Sequence, residues 1–337
     1  MAADSDSGQN SIRCQSYLMS TAKGTVCVTG AGGFLGSWVV HLLLSKNYLV
    51  RGTVRDPLDE KYAHLNQLPN ASSNLKLVKA DLLDYPSLFS AIQGCSGVFH
   101  VASPLPSSPV ANPQVDLIEP AVTGTLNVLK ACLEAKVERV VVVSSGAALM
   151  MNPSWPDTRA MDESCWSDVE HCRAIENWYC ASKTEAESKA FEFGKANGLD
   201  VVSACPNLIF GPILQPTANA SSLLLAKLLK EGHDLEDNRH HRIVDVRDVA
   251  EALVLVYEKP EAQGRYICTS HSVHVKDIVD ILKDEYPSYN YPKNFTDGQQ
   301  KKEMSSEKLQ RLGWSYRSLQ ETLVDSVESY KKAGLLD

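Results

Sequence analysis

The chain has 337 residues, 44% of them hydrophobic and 22% charged, with a formal net charge of −8; this is the composition of a globular protein that can bury a full core. The acidic balance argues against a nucleic-acid surface, and no apolar run reaches the roughly 18 residues that span a membrane. Nine cysteines without metal-ligand spacing indicate a reducing, cytoplasmic setting and no metal site.

Residues 1–22 are rich in Ser, Asp, Asn and Gln and lack the basic-then-apolar order of a secretory signal, so they read as a disordered tail. The apolar run 26–28 reads as a buried strand. It meets a glycine cluster, Gly30, Gly33 and Gly36, and an amphipathic helix follows from Leu35. In that order, the glycines let the backbone approach a pyrophosphate, and the helix N-terminus holds its charge.

Further strands are predicted over 48–54, 75–78, 97–102 and 140–143, with helices over 86–92 and 115–133. The fourth strand stops at Ser103 and Pro104, in a proline-rich loop. Short apolar strands alternating with helices predict an α/β fold, a Rossmann-type doubly wound parallel sheet. Ligands of such sheets lie beyond the carboxyl ends of the strands.

From about residue 205 the regularity gives way to a loop with Pro206, Gly211, Pro212 and Pro216. A helix over 222–230, a His-rich turn at His240 and His241, an apolar run 243–246 and a helix over 247–257 come next. This predicts a nucleotide-binding domain over 23–205 and a smaller C-terminal lobe over 206–337, mainly for substrate and interleaved with the first.

The end of the second strand would discriminate between nicotinamide cofactors. Arg55 and Lys61 are cations suited to a ribose 2′-phosphate. Asp56 is the acid that an NAD-type site would use instead.

Two hydroxyls, Ser144 and Ser145, emerge where the strand 140–143 ends. Farther on, Tyr179 and Lys183 stand four residues apart and share a helix face. An ammonium beside a phenol lowers its pKa and suits it to act as general acid on a carbonyl oxygen. A serine aimed at the same oxygen would hold it. Cys165, Cys172 and Cys180 cluster nearby in sequence, as do Trp155, Trp166 and Trp178, which offer an aromatic lining or core packing.

These residues resemble the extended short-chain dehydrogenase/reductases, close to the plant cinnamoyl-CoA reductase and dihydroflavonol reductase group. The marks are Val28-Thr-Gly-Ala-Gly-Gly-Phe-Leu-Gly36, Asp162-Glu-Ser-Cys-Trp-Ser-Asp168, Asn177-Trp-Tyr-Cys180, Gly211-Pro-Ile-Leu-Gln-Pro-Thr-Ala-Asn-Ala-Ser221 and Asp245-Val-Arg-Asp-Val-Ala250. The resemblance implies a catalytic set of Ser145, Tyr179 and Lys183, with Asn127 in a proton-relay role. It implies NADPH contacts at Gly30, Gly33, Phe34, Leu35, Gly36, Arg55, Lys61, Asp81, Leu82, Val101, Ala102 and Ser103. Further contacts fall on Tyr179, Lys183, Pro206, Asn207, Leu208, Ile209 and Ser221.

The implied activity is NADPH-dependent reduction of a small aromatic carbonyl: a hydroxycinnamoyl-CoA taken to its aldehyde, or a related aldehyde or ketone. No nucleic-acid or membrane partner is implied. The chain departs from the cinnamoyl-CoA reductase pattern at Leu224, where that group carries a histidine linked to coenzyme A; Lys227 is kept. Rival expectations are a dihydroflavonol-type ketone reductase, a sugar-nucleotide epimerase and an NADP(H)-binding regulator without turnover. Arg55 and Lys61 weigh against the epimerase, the complete triad against the regulator.

Overall fold

The computed structural model describes residues 22–103, 111–298 and 302–337. The tail, residues 1–22 as read from sequence, lies outside them except for its last residue, as does the proline-rich loop from residue 104.

The first strand, β1 (Thr25–Thr29), leads through the glycine turn into α1 (Phe34–Ser45). There follow β2 (Leu49–Val54), β3 (Leu75–Lys79), α2 (Tyr85–Ile92) and β4 (Gly97–His100). The next helix, α3 (Glu119–Glu134), is preceded by a single π-type turn, Gln114–Ile118, where one continuous helix was expected. Pro120 stands in the first turn of α3; with no N–H it cannot extend a regular ladder backwards, but suits a helix start. β5 (Arg139–Val143) is almost wholly β-branched. The long α4 (Trp178–Asn197) carries Tyr179 and Lys183. It starts where the Asn177 side chain accepts from the Cys180 N–H at 3.2 Å, and ends at Gly198, whose φ of +67° only glycine adopts freely.

Beyond α4 the chain forms more strands than its sequence pattern suggested. β6 (Asp200–Pro206) and β7 (Leu208–Phe210) precede α5 (Ala220–Lys230). The two histidines expected in a turn begin β8 (His240–Asp245), and His240 is buried. Then come α6 (Val246–Glu258), β9 (Gly264–Cys268), β10 (His271–His274), α7 (Val275–Glu285) and α8 (Leu319–Lys332).

The main sheet runs β3-β2-β1-β4-β5-β6-β9, and every pairing is parallel. The strand order reverses between β1 and β4, which opens a crevice at their carboxyl ends. A small sheet of β10, β8 and β7 stands beside it. The region after residue 205 returns to the main sheet through β9, and α6 packs on α1. A single apolar cluster accordingly reaches from Val26 to Leu336.

Candidate active site

A cavity of about 560 Å3 follows the strand ends from the glycine turn to Tyr179. At one end, Gly30 takes a left-handed φ of +67°, and a Cβ there would lie 3.0 Å from the Ala102 backbone. A Cβ on Gly36 would come within 2.1 Å of the Gly30 carbonyl; only glycine lets the helix start so close to the strand. Gly33 is the N-cap of α1 and no side chain caps it, so the free N–H groups of the first turn remain for an anion.

Gly30, Gly33, Phe34, Leu35 and Gly36 all line the cavity, as do Arg55, Asp81, Leu82, Val101, Ala102 and Ser103. Arg55 is exposed and makes no ion pair among the described residues. Lys61, expected beside it, instead pairs with Asp59 and stays off the cavity wall. Its neighbour Tyr62 lines the cavity, with its ring so close over Gly32 that a Cβ there would lie 2.2 Å away. Sequence reasoning missed Tyr62; the signal was Gly32, a glycine the pyrophosphate pattern does not require.

At the other end stand Ser144, Ser145, Tyr179, Lys183, Pro206, Asn207 and Ile209. Ser145 follows β5, and its hydroxyl accepts from the Ala147 N–H at 3.1 Å. Tyr179 is 42% exposed, so a substrate can reach it. Burial of its hydroxyl raises its pKa above the ordinary 10, and the Ser145 hydroxyl, as hydrogen-bond partner, pulls it partly back. This corrects the expected lowering by Lys183: the phenol holds its proton. Burial also brings Lys183 down to about 8, with Glu187 one turn away opposing the fall.

Three expected residues lie elsewhere. Asn127 donates from Nδ2 to the Leu82 carbonyl at 2.9 Å, on the face of α3 turned to that loop, and does not line the cavity. That bond ties α3 to the loop after β3. Leu208 alternates away from the cavity between Asn207 and Ile209. Ser221 lies behind the wall, donating to the Ile209 carbonyl at 2.6 Å. Leu224 and Lys227 do not line it either, and Lys227 pairs with Glu231.

None of the three tryptophans lines the cavity. Trp166 lies under the Arg265 guanidinium at 3.5 Å, and Trp178 packs with Cys172 and Cys180. The eight described cysteines are buried, and none of them forms a disulfide. Among the described residues, no cluster has the makings of a metal site and no helix is long and apolar enough to cross a membrane.

Known proteins resemble this chain in sequence and in fold. The pattern of the NAD dependent epimerase/dehydratase family matches residues 26–268. A cinnamoyl-CoA reductase 1 of Petunia hybrida is 44% identical over 323 residues, covering 95% of this chain and 96% of its own. A tetraketide alpha-pyrone reductase 1 of Arabidopsis thaliana is 41% identical, covering 94% and 98%. Among solved structures, vestitone reductase from alfalfa superposes with a TM-score of 0.80 at 34% identity, covering 93% of this chain and all of that one. A yeast methylglyoxal/isovaleraldehyde reductase complexed with NADPH gives 0.81 at 26% identity, with 93% and 100% covered. The chain therefore belongs to the NAD dependent epimerase/dehydratase family, the extended short-chain dehydrogenase/reductases, beside the plant cinnamoyl-CoA and dihydroflavonol reductases.

Proposed function

We propose that this protein is an NADPH-dependent carbonyl reductase of phenylpropanoid type, cinnamoyl-CoA reductase-like, with Ser145, Tyr179 and Lys183 as its catalytic residues. The observation that carries this reading is one cavity with a glycine turn and an unpaired arginine at one end and a protonated, reachable phenol at the other. The first end suits a dinucleotide: the free N–H groups of α1 meet the pyrophosphate, and Arg55 meets a 2′-phosphate as a bidentate donor. When bound, NADPH supplies a hydride to the carbonyl carbon.

The chain's own residues do the rest. Ser145 donates a hydrogen bond to the carbonyl oxygen and holds it as charge develops there. Tyr179 gives its proton to that oxygen; an aldehyde or ketone is thereby an alcohol, whereas a thioester becomes a hemithioacetal that yields the aldehyde when its C–S bond breaks and the thiol of coenzyme A leaves with the hydroxyl proton. Lys183, positively charged below about pH 8, stabilises the phenolate left behind. Pro206, Asn207 and Ile209 close the wall behind the reacting group. The substrate is a small aromatic molecule and the setting cytoplasmic, in keeping with described cysteines that are buried and form no disulfide.

Leu224 favours a second reading within the same chemistry, in which free aldehydes or ketones, including dihydroflavonol-type ketones, replace the thioester. Leucine cannot donate to the phosphates or ribose of coenzyme A. The deciding experiment is NADPH oxidation with feruloyl- and p-coumaroyl-CoA beside free aldehydes and dihydroflavonols. Turnover of the thioesters establishes the first reading, and turnover of free carbonyls alone the second. NADPH binding without turnover of any of them would overturn both in favour of a regulator.

A further inference from the structure

A second cavity, of about 310 Å3, opens on the small sheet and shares no lining residue with the first. The two are neighbours: Asn207 lines the first and Met304 the second, and these side chains touch at 3.4 Å. Arg242 on β8 lines the second cavity, opposite Ser272 of β10 in the strand register. It is only 7% exposed. One of its terminal nitrogens donates to the Lys302 carbonyl, while its Nε has no hydrogen-bond partner.

No described carboxylate lies in ion-pair range of this guanidinium. Two carboxylates line the cavity: Glu303, exposed, acts on the guanidinium from beyond ion-pair range, and Glu307 is paired with Arg311. Thr269, whose Oγ1 is buried and also without a partner, lines the same cavity. Three of the other hydroxyls are engaged: Ser306 donates to the Thr269 carbonyl at 2.7 Å, Ser270 to the Ile243 carbonyl at 2.9 Å, and Ser272 meets His240 at 3.2 Å.

Among the described residues, the cavity thus presents a buried guanidinium in no ion pair, and two groups able to donate, the Arg242 Nε and the Thr269 hydroxyl, that have no acceptor. A buried guanidinium is stable when an anion compensates it, and its flat fork matches the oxygens of carboxylate and phosphate. A cation would be repelled, and an apolar group would leave both donors unmet.

We propose that this cavity is a second ligand site that takes an oxyanion, a phosphate or carboxylate group, on Arg242 and Thr269. It stands apart from the Tyr179 site, so it holds whether or not the proposed reductase activity does. The anion is either free in solution or the tail of a molecule whose other end reaches the neighbouring cavity.

The test titrates the purified full chain with inorganic phosphate, and separately with acetate, at constant ionic strength balanced by chloride, and follows heat and thermal unfolding. Saturable binding of one anion per chain is expected. Arg242→Met keeps an apolar stem without the charge and should weaken that binding by about tenfold or more, the loss of a charge-assisted hydrogen bond. Should that variant not fold, Thr269→Val keeps the shape, lacks the hydroxyl, and should weaken binding by about threefold or more. Non-saturating response to both anions, or saturation unchanged in the variants, overturns the site. Binding kept apart from turnover identifies a free anion as the occupant. A KM for the carbonyl substrate that rises with phosphate identifies a substrate tail.

Discussion

Glu187 and Arg265 face each other at 2.9 Å with side chains only 1% and 6% exposed, one hydrogen bond behind the wall of the active cavity. The Glu187 carboxylate also accepts from Ser144 at 2.8 Å and Ser203 at 2.5 Å. Arg265 donates to the Cys165 carbonyl at 2.5 Å and lies flat on Trp166. Breaking such a pair strands the surviving charge, at about 3–5 kcal/mol. Glu187→Gln should lower the urea midpoint accordingly, while the double replacement Glu187→Gln with Arg265→Met should recover part of the loss. A single variant as stable as the parent would mean that water reaches the pair.

Tyr179→Phe removes the proton donor and little else, since the ring already stands partly in solvent. Reduction should slow by about 10²- to 10⁴-fold. NADPH affinity, followed by cofactor fluorescence, should stay near that of the parent, because the glycine turn and Arg55 are untouched. Turnover within tenfold of the parent would refute the role given to the tyrosine.

The glycine turn, the first five strands and the place of Tyr179 and Lys183 on one helix at the cavity were legible because each is local. Gly30 and Gly36 stand where only glycine fits, and four residues on a helix make one face. What could not be read locally depends on partners far along the chain. β6 ends in Pro206 and looks like the start of a loop, yet it pairs with β9 some sixty residues later. His240 and His241 become strand residues because β10 pairs with them. Nor could the sequence show that Asn127 donates to the Leu82 carbonyl or that Lys61 pairs with Asp59. The direction of the Tyr179 pKa was misread because helical spacing shows proximity to an ammonium but not the burial that opposes it.

Arg55 and Lys61 look alike in sequence and separate in the structure. Arg55→Ala should raise the KM for NADPH by about tenfold or more while leaving NADH nearly unchanged, the loss of a bidentate phosphate contact. Lys61→Ala should change either value by less than about threefold, since its ammonium stands off the cavity wall beside Asp59 on an exposed turn. Steady-state kinetics with both cofactors decides it. Equal effects of the two substitutions would mean that Lys61 leaves Asp59 when the cofactor arrives.

Lys183 ties stability to pH in an unusual direction. Burial brings its pKa from 10.5 to about 8, so the folded protein holds this proton less tightly than the unfolded chain. Between pH 8 and 10.5 the unfolded state therefore carries more protons at this position, and folding grows more favourable as pH rises. Below pH 8 the ammonium is charged in both states, and its burial opposes folding by roughly 3 kcal/mol. Lys183→Met removes that opposition along with the charge that steadies the phenolate. The variant should therefore melt at a higher temperature than the parent at pH 7, with the gap shrinking as pH rises from 8 to 10.5, and it should reduce carbonyls far more slowly. Thermal unfolding of both proteins across that range, without cofactor, reads the effect directly. A gap that stays constant with pH would show that the ammonium is as well solvated in the folded protein as in the unfolded chain.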